Sequence, residues 1–329
     1  MFLGVDGGGT KTGFMLIDAH GHILASHEEP TSYYLEIGMQ ATEQVLRRGT
    51  LAVLDKAQFR MEDLRFAFFG LPAYGEDSSL QDQLETLPST FLPAARYRCG
   101  NDMVCGWAGS LAGQDGISVV AGTGSIAYGE YQGRQARAGG WGELFSDEGS
   151  AYWIACAGLK LFSRMSDGRA DIGPLYELVR ERFDLRSDLD LCGHVYGKLG
   201  AQRGAMAQIS QLVGEAALLG DEQARIIFSD AASELVELIS AVRNTLKVPS
   251  NMSLPISYSG GVFKSGALLM EPLRAALTSL PEFFTLTEPI LSPVIGAALY
   301  AAKCCEYKLH PDALARLVVA QKLSGAHSQ

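Results

Sequence analysis

Apolar residues open the chain in short extended runs. Residues 1–5 are apolar but for Gly4, and Gly13-Phe14-Met15-Leu16-Ile17-Asp18 resumes the run after a break, the pattern of two strands joined by a tight turn. The break reads Asp6-Gly7-Gly8-Gly9-Thr10-Lys11-Thr12, and a turn at His20-Gly21 leads into a third extended run. The same device recurs in mid-chain: apolar 116–121, the small-residue turn Gly122-Thr123-Gly124-Ser125, a returning run 126–130, then Gln132-Gly133 and a third run. Such internal duplication predicts two similar halves with a cleft between them.

Between the duplicated segments the periodicity changes. Residues 30–34 read as a turn, and 36–57 as a helix, with Ile37, Ala41, Val45, Leu46, Ala52 and Val53 near helical spacing. A buried strand at 65–70 runs into Gly70-Leu71-Pro72, followed by a weaker helix at 79–86, a strand near 96–99, and a helix from Gly100-Asn101-Asp102 to about 112. In the second half a helix follows Ser146-Asp147-Glu148-Gly149-Ser150 and lasts to about 165, helical patterns fill most of 172–246, and a strand at 255–263 meets Gly260-Gly261 before another helix. A strand near 283–286 and helices at 294–305 and 311–323 close the chain. The alternation predicts an α/β protein of mixed sheets flanked by helices. The expected lobes are 1–114 and 115–307, with a C-terminal helix in 308–329 packing back on the first.

Composition narrows the function classes. A chain of 329 residues with 47% hydrophobic and 19% charged residues can bury sizeable cores. Lys plus Arg number 27 against 37 Asp plus Glu, a formal charge of −10 that argues against nucleic acid and anionic membranes as partners, so any phosphate must be met locally. The six cysteines, Cys99, Cys105, Cys156, Cys192, Cys304 and Cys305, show no CxxC or zinc spacing and read as reduced thiols. No basic region precedes a long apolar segment at the start, and no run reaches ~18 apolar residues, so a cytoplasmic protein is expected.

A strand ending in one carboxylate and turning over three glycines suits a nucleotide phosphate held with a divalent cation. Glycines permit positive φ and close backbone approach, successive N–H groups form an anion nest, and Asp6 can hold Mg2+ directly or through water. Taken alone, the triplet could equally be a hairpin turn with Asp6 bonding its amides. It is not a dinucleotide fingerprint, because a strand follows, and it lacks the Gly-Lys-Ser/Thr ending of a P-loop. The ordered set of three glycine turns is more specific: Gly8, Gly9 and Thr10 with Gly122, Thr123 and Gly124 grip phosphates, and Gly260-Gly261 offers flat backbone to an adenine or ribose. Lys11 either touches a phosphate or points to solvent. Asp102 reads either as a helix cap or as the carboxylate that accepts a proton from an attacking hydroxyl. Asp147 and Glu148 stand where a helix N-terminus favours acidic residues in any case, and Trp141 on its own is as compatible with a core as with a pocket. His22, His27, His194 and His310 follow no metal or triad spacing.

The Asp-Gly-Gly-Gly-Thr-Lys-Thr start, Ala-Gly-Thr-Gly-Ser in mid-chain, Gly-Gly-Trp-Gly before Ser-Asp-Glu-Gly-Ser-Ala-Tyr-Trp, and the late Ser-Gly-Gly-Val together resemble the BadF/BadG/BcrA/BcrD-type ATPases. Within them, the string is similar to the N-acetylglucosamine kinase branch of the sugar kinase, Hsp70 and actin superfamily, over residues 1–302. The resemblance implies two ribonuclease-H-like domains, the second with a helical insertion, closing by a hinge on ATP and Mg2+. It implies Asp102 as catalytic base, and Ser125, Gly140, Trp141, Asp147 and Asp102 as sugar-binding residues, with an amino sugar as substrate and a homodimer as assembly. Two positions depart from that branch. Thr31-Ser32-Tyr33-Tyr34 stands where an Asn usually follows Pro-Ser, and Ile126 stands where a polar residue is frequent. The expected activity is therefore phosphorylation of the 6-hydroxyl of N-acetylglucosamine, with glucosamine or another amino sugar or hexose open. An ATPase activator of a radical reductase, whose iron-sulfur cluster needs cysteine ligands, is the alternative of a different class.

Overall fold

A computed structural model describes residues 1–199 and 202–326, and divides the chain into two compact units, one of residues 1–115 with the chain from 288 on, the other of 116–287. The second unit thus ends earlier than the expected 307. Residues 288–307 belong with the first unit because the helix Pro293–Cys304 packs on the strand that opens the chain. The last three residues of the expected 308–329 segment lie outside the described residues, and its helix runs Ala313–Ala326.

In the first unit β1 (Phe2–Gly7), β2 (Lys11–Ile17), β3 (Ile23–Pro30), β4 (Phe66–Leu71) and β5 (Tyr97–Asn101) form one sheet in the order β3-β2-β1-β4-β5. The first three strands are an antiparallel meander, whereas β4 and β5 run parallel to β1. Every residue of β4 is buried, as a parallel strand covered on both faces must be. The helix Met39–Lys56 packs Leu46, Val53 and Leu54 in one core with Leu3, Val5, Phe14, Leu16 and Phe69. The expected helix at 36–57 is interrupted at Gly38, whose φ of 80° ends the short turn Tyr34–Ile37 and starts the longer helix.

The opposite face carries the helix Pro293–Cys304, and the contact is backbone on backbone. A Cβ on Gly4 would lie 2.1 Å from the Ala298 nitrogen, and one on Gly296 would lie 2.1 Å from the nitrogen of Gly109 in the helix Met103–Ser110. Glycine is needed at both positions for space.

The second unit repeats the plan. β6 (Gly116–Ala121), β7 (Ser125–Tyr131), β8 (Arg134–Gly139), β9 (Leu254–Ser259) and β10 (Phe284–Thr287) lie in the order β10-β9-β6-β7-β8, again a three-strand meander extended by two parallel strands. Its core gathers Ile117, Val119, Ile154, Phe162, Phe228, Leu235, Ile239 and Leu269 from the sheet and the helices Ala151–Ser166, Glu222–Leu246 and Ala267–Thr278. Asp221 ties the inserted helices together: one oxygen accepts from the Ala224 amide at the start of the long helix, the other from the Leu175 amide of Pro174–Phe183.

Gly296→Ala is expected to destabilise the protein by about 1–3 kcal/mol or more through overpacking. Gly9→Ala, whose added methyl would meet nothing within 4 Å, should shift stability by less than about 0.5 kcal/mol. Denaturant unfolding of the two variants beside the wild type checks the contrast.

Candidate active site

In the first unit the parallel strands β1, β4 and β5 end in register, with Asp6 opposite Gly70 and Gly70 opposite Gly100. Ligands of α/β sheets sit at such carboxyl ends. Asp6 stands at one end of this edge, and Asp102 lies just past β5, close enough that its charge acts on Asp6. Burial first and the Asp102 charge second push the Asp6 carboxyl up to about 7, against a hydrogen bond from Cys105 and the charge of Lys11. Two carboxylates held together out of water are a natural seat for a divalent cation, which removes the repulsion.

The capping reading of Asp102 can be weighed directly. Asp102 occupies the position before the helix Met103–Ser110, yet its side chain makes no capping hydrogen bond. The cap comes from Asn101, whose Oδ1 accepts from the Met103 amide at 3.1 Å while its Nδ2 donates to Tyr74 O. Helix termination therefore does not account for a carboxylate at 102.

The glycine turn beside Asp6 departs from expectation in its backbone. None of Gly7, Gly8 and Gly9 has positive φ. Gly7 is glycine for space, since a Cβ would lie 2.6 Å from Ser32 Oγ and 2.7 Å from Gly70 O. The Gly8 amide donates to Lys11 O, and Gly8 O accepts from Thr31 Oγ1 at 2.7 Å. Because a trans peptide points its N–H opposite its carbonyl, fixing Gly8 O fixes the Gly9 N–H outward. Among the described residues the amides of Gly9 and Thr10 have no protein acceptor. Lys11 is engaged by Glu28 across β2 and β3, both side chains exposed.

The turn after β6 is built the same way. Gly122 N donates to Gly124 O at 2.9 Å, and the first amides of the helix Ala151–Ser166 hold the carbonyls: Ala151 N donates to Gly122 O at 2.9 Å and Tyr152 N to Thr123 O at 3.4 Å. The Thr123 and Gly124 amides consequently point away from that helix, and among the described residues neither meets an acceptor. Gly122 and Gly124 also lack positive φ; only Gly260, at φ 108°, supplies it, lying so close to Ala121 that a Cβ would be 2.3 Å from Ala121 O. Gly122, Thr123 and Gly261 line one cavity of about 780 Å3 together with Gln211, Gly214, Glu215 and Lys264, a volume in the range of small-ligand sites. Gly124 is turned to a different neighbour, the Arg203 guanidinium.

The expected sugar residues separate. Asp147 is buried at φ 63°, accepts from the Ser125 amide at 3.3 Å and pairs with Arg203. Burial raises its carboxyl above the usual range, outweighing the pull of Arg203 and of the Ser125 amide. Ser125 Oγ donates to Glu148 O at 2.6 Å, so this serine and Asp147 buttress the turn. Trp141 is 70% exposed and belongs to no core, in company with exposed Leu144 and Phe145. Gly140, at φ 71°, lies under Ile126, where a Cβ would come within 2.7 Å of Ile126 Cδ1. Of the other departing positions, Tyr34 is buried in the first core and Thr31 holds the glycine turn. Arg203 was not marked by sequence, and Thr31 was marked only as part of a departing stretch; their roles depend on partners distant along the chain.

The cysteines bear on the reductase-activator alternative. Cys99 and Cys105 are both buried, and burial pushes both thiols well up, the reverse of exposed thiolate ligands.

Comparison with known proteins identifies a family. The BadF/BadG/BcrA/BcrD ATPase family pattern matches residues 3–301. An N-acetyl-D-glucosamine kinase of Dictyostelium discoideum is 28% identical over 92% of this chain and 97% of its own. An N-acetylmuramic acid/N-acetylglucosamine kinase of Clostridium acetobutylicum is 28% identical over 84% and 89%. A solved Chromobacterium violaceum structure, provisionally named N-acetylglucosamine kinase, superposes with a TM-score of 0.66 at 27% identity over 90% of this chain and 97% of its own. A ROK hexokinase from Thermus thermophilus, 15% identical over 92% and 99% with a TM-score of 0.54, shares the fold.

The Asp6 carboxyl, near 7 in the fold against an ordinary 3.8, favours folding in its protonated form; that advantage is complete below about pH 4 and is lost as pH rises through 7. Asp6→Asn stays neutral throughout. In metal-free protein the melting temperature of Asp6→Asn relative to wild type should therefore be higher at pH 8 than at pH 5, and an equal difference at both would refute the buried-charge account.

Proposed function

Because the chain belongs to the BadF/BadG/BcrA/BcrD ATPase family, we propose that it is an ATP-dependent sugar kinase that phosphorylates the 6-hydroxyl of N-acetylglucosamine. The observation that carries the reading is the carboxylate at 102, set at the carboxyl edge of parallel strands and relieved of helix capping by Asn101. The kinase names of two relatives at 28% identity support the substrate class.

In this reading the Thr123 and Gly124 amides receive phosphate oxygens, and Gly261 with the cavity beyond it receives the nucleoside. The Gly9 and Thr10 amides offer a second set of donors beside the carboxylates. Asp6 would hold Mg2+, which when bound neutralises phosphate charge. Asp102 orients the sugar hydroxyl and takes its proton as the oxygen attacks the γ-phosphorus; the bond to the bridging oxygen breaks and ADP leaves.

Tyr33-Tyr34 and Ile126, at positions that depart from the kinase branch, make glucosamine or another amino sugar or hexose the alternative substrate. We propose further that the enzyme works in the cytoplasm as a homodimer.

A coupled ADP-release assay should show turnover with N-acetylglucosamine well above that with glucosamine, N-acetylmannosamine or glucose, and phosphorus NMR should place the phosphate on the 6-oxygen. Asp102→Asn should lower kcat by about 10²–10⁴-fold. ATP hydrolysis that needs no sugar and is unmoved by Asp102→Asn would sink the kinase assignment.

A further inference from the structure

Arg203 opens the short helix Arg203–Ala207, whose next residue, Gly204, lines the cavity that Gly122 and Thr123 also line. Its guanidinium lies against Gly124, since a Cβ on that glycine would sit 2.1 Å from Nη2. The cation therefore rests on the turn whose Thr123 and Gly124 amides point outward without a protein acceptor among the described residues. Asp147, which accepts from the Ser125 amide, holds the guanidinium there.

The bonding of Arg203 leaves capacity. Nη2 donates to Asp147 Oδ2, and Nε faces Glu143 Oε2 at 3.3 Å. A guanidinium has five N–H donors in one plane, so the Nη1 pair has no partner among the described residues, and the side chain is 42% exposed. The two carboxylates differ in kind. Asp147 is buried and held by the Ser125 amide, so it fixes the guanidinium plane. Glu143 is 32% exposed and meets Nε at a longer distance, so it can be exchanged for another anion.

Charge supplies the need. The chain carries a formal −10, and Lys264 is the one cationic side chain among the described residues lining the cavity. A polyphosphate seated on the turn requires more positive charge than one lysine, and a planar fork is the donor shape phosphate takes best.

We propose that Arg203 is a second phosphate-binding group of this site, donating through Nη1 to the phosphate that the Thr123 and Gly124 amides hold, with Asp147 setting its plane and Glu143 competing with the phosphate for it. The assignment rests on the kinase reading above and adds to it a residue that binds the nucleotide through its phosphates alone.

The test is calorimetric binding of ATP and of adenosine to the full chain. Arg203→Ala should weaken ATP by about 10- to 100-fold and leave adenosine unchanged, since a hydrogen bond between charged groups is lost and the nucleoside never meets it. Glu143→Gln should tighten ATP several-fold, again without moving adenosine. Equal losses for ATP and adenosine in Arg203→Ala would make Arg203 a prop for Asp147 only and overturn the assignment. If Arg203→Ala does not fold, Glu143→Gln decides alone: ATP affinity unchanged or weaker overturns it. Wild type that binds no ATP ends the kinase reading and this one together, whereas wild-type ATP binding with Arg203→Ala unmoved ends only the second.

Discussion

In each unit the glycine turn depends on the orientation of a few peptide planes. In the second unit the first two amides of the helix Ala151–Ser166 bond to the carbonyls of Gly122 and Thr123, and the planar trans peptide does the rest, turning the following N–H groups outward. In the first unit a hydroxyl replaces the helix, Thr31 Oγ1 bonding to Gly8 O and so aiming the Gly9 amide. A flexible loop would have to give up conformational freedom when an anion arrives; these turns have done so on folding. The donors are preorganised by bonds made on the far side of each peptide.

Placement of the carboxylates follows a different constraint. Asp6 and Asp102 sit where parallel strands end and where burial makes a single negative charge expensive and a second one worse, which is why the Asp6 carboxyl titrates near 7. The cost of that arrangement falls away when a cation or a transferred proton is present. Asp147 shows the contrasting solution, a buried carboxylate answered by protein donors on both sides, Arg203 and the Ser125 amide.

Much of the architecture could be read from residue order. Short apolar runs with glycine-rich breaks, occurring twice, describe both meanders, and the sheet orders β3-β2-β1-β4-β5 and β10-β9-β6-β7-β8 are the same plan written twice. The positions of the turns were legible, but the reason for their glycines was not. Positive φ was expected, whereas Gly7 is glycine because Gly70 O, Pro72 and Ser32 crowd it, and Gly124 lies against the side chains of Arg203 and Asp147. Contacts of that kind join residues far apart in sequence, and no local pattern encodes them; Arg203 escaped notice for the same reason. Trp141 shows the limit from the other direction, an aromatic whose type suggests a core and whose place is 70% exposed. The boundary near 288 had a signal that periodicity did not use: the small residues Gly296, Ala297 and Ala298 let the helix lie directly on β1 at Gly4 and on the helix Met103–Ser110 at Gly109.

That helix has a consequence for how the chain is made. β1 is made before the second unit, whereas the helix Pro293–Cys304 that covers its Gly4 face is made after it. During translation the opening sheet has one face clothed by Met39–Lys56 and the other bare, an apolar surface of Phe2 and Phe68 that invites association with other nascent chains. Until that helix is in place the first sheet lacks cover on one face, so the first unit completes its core only after the second unit has been made.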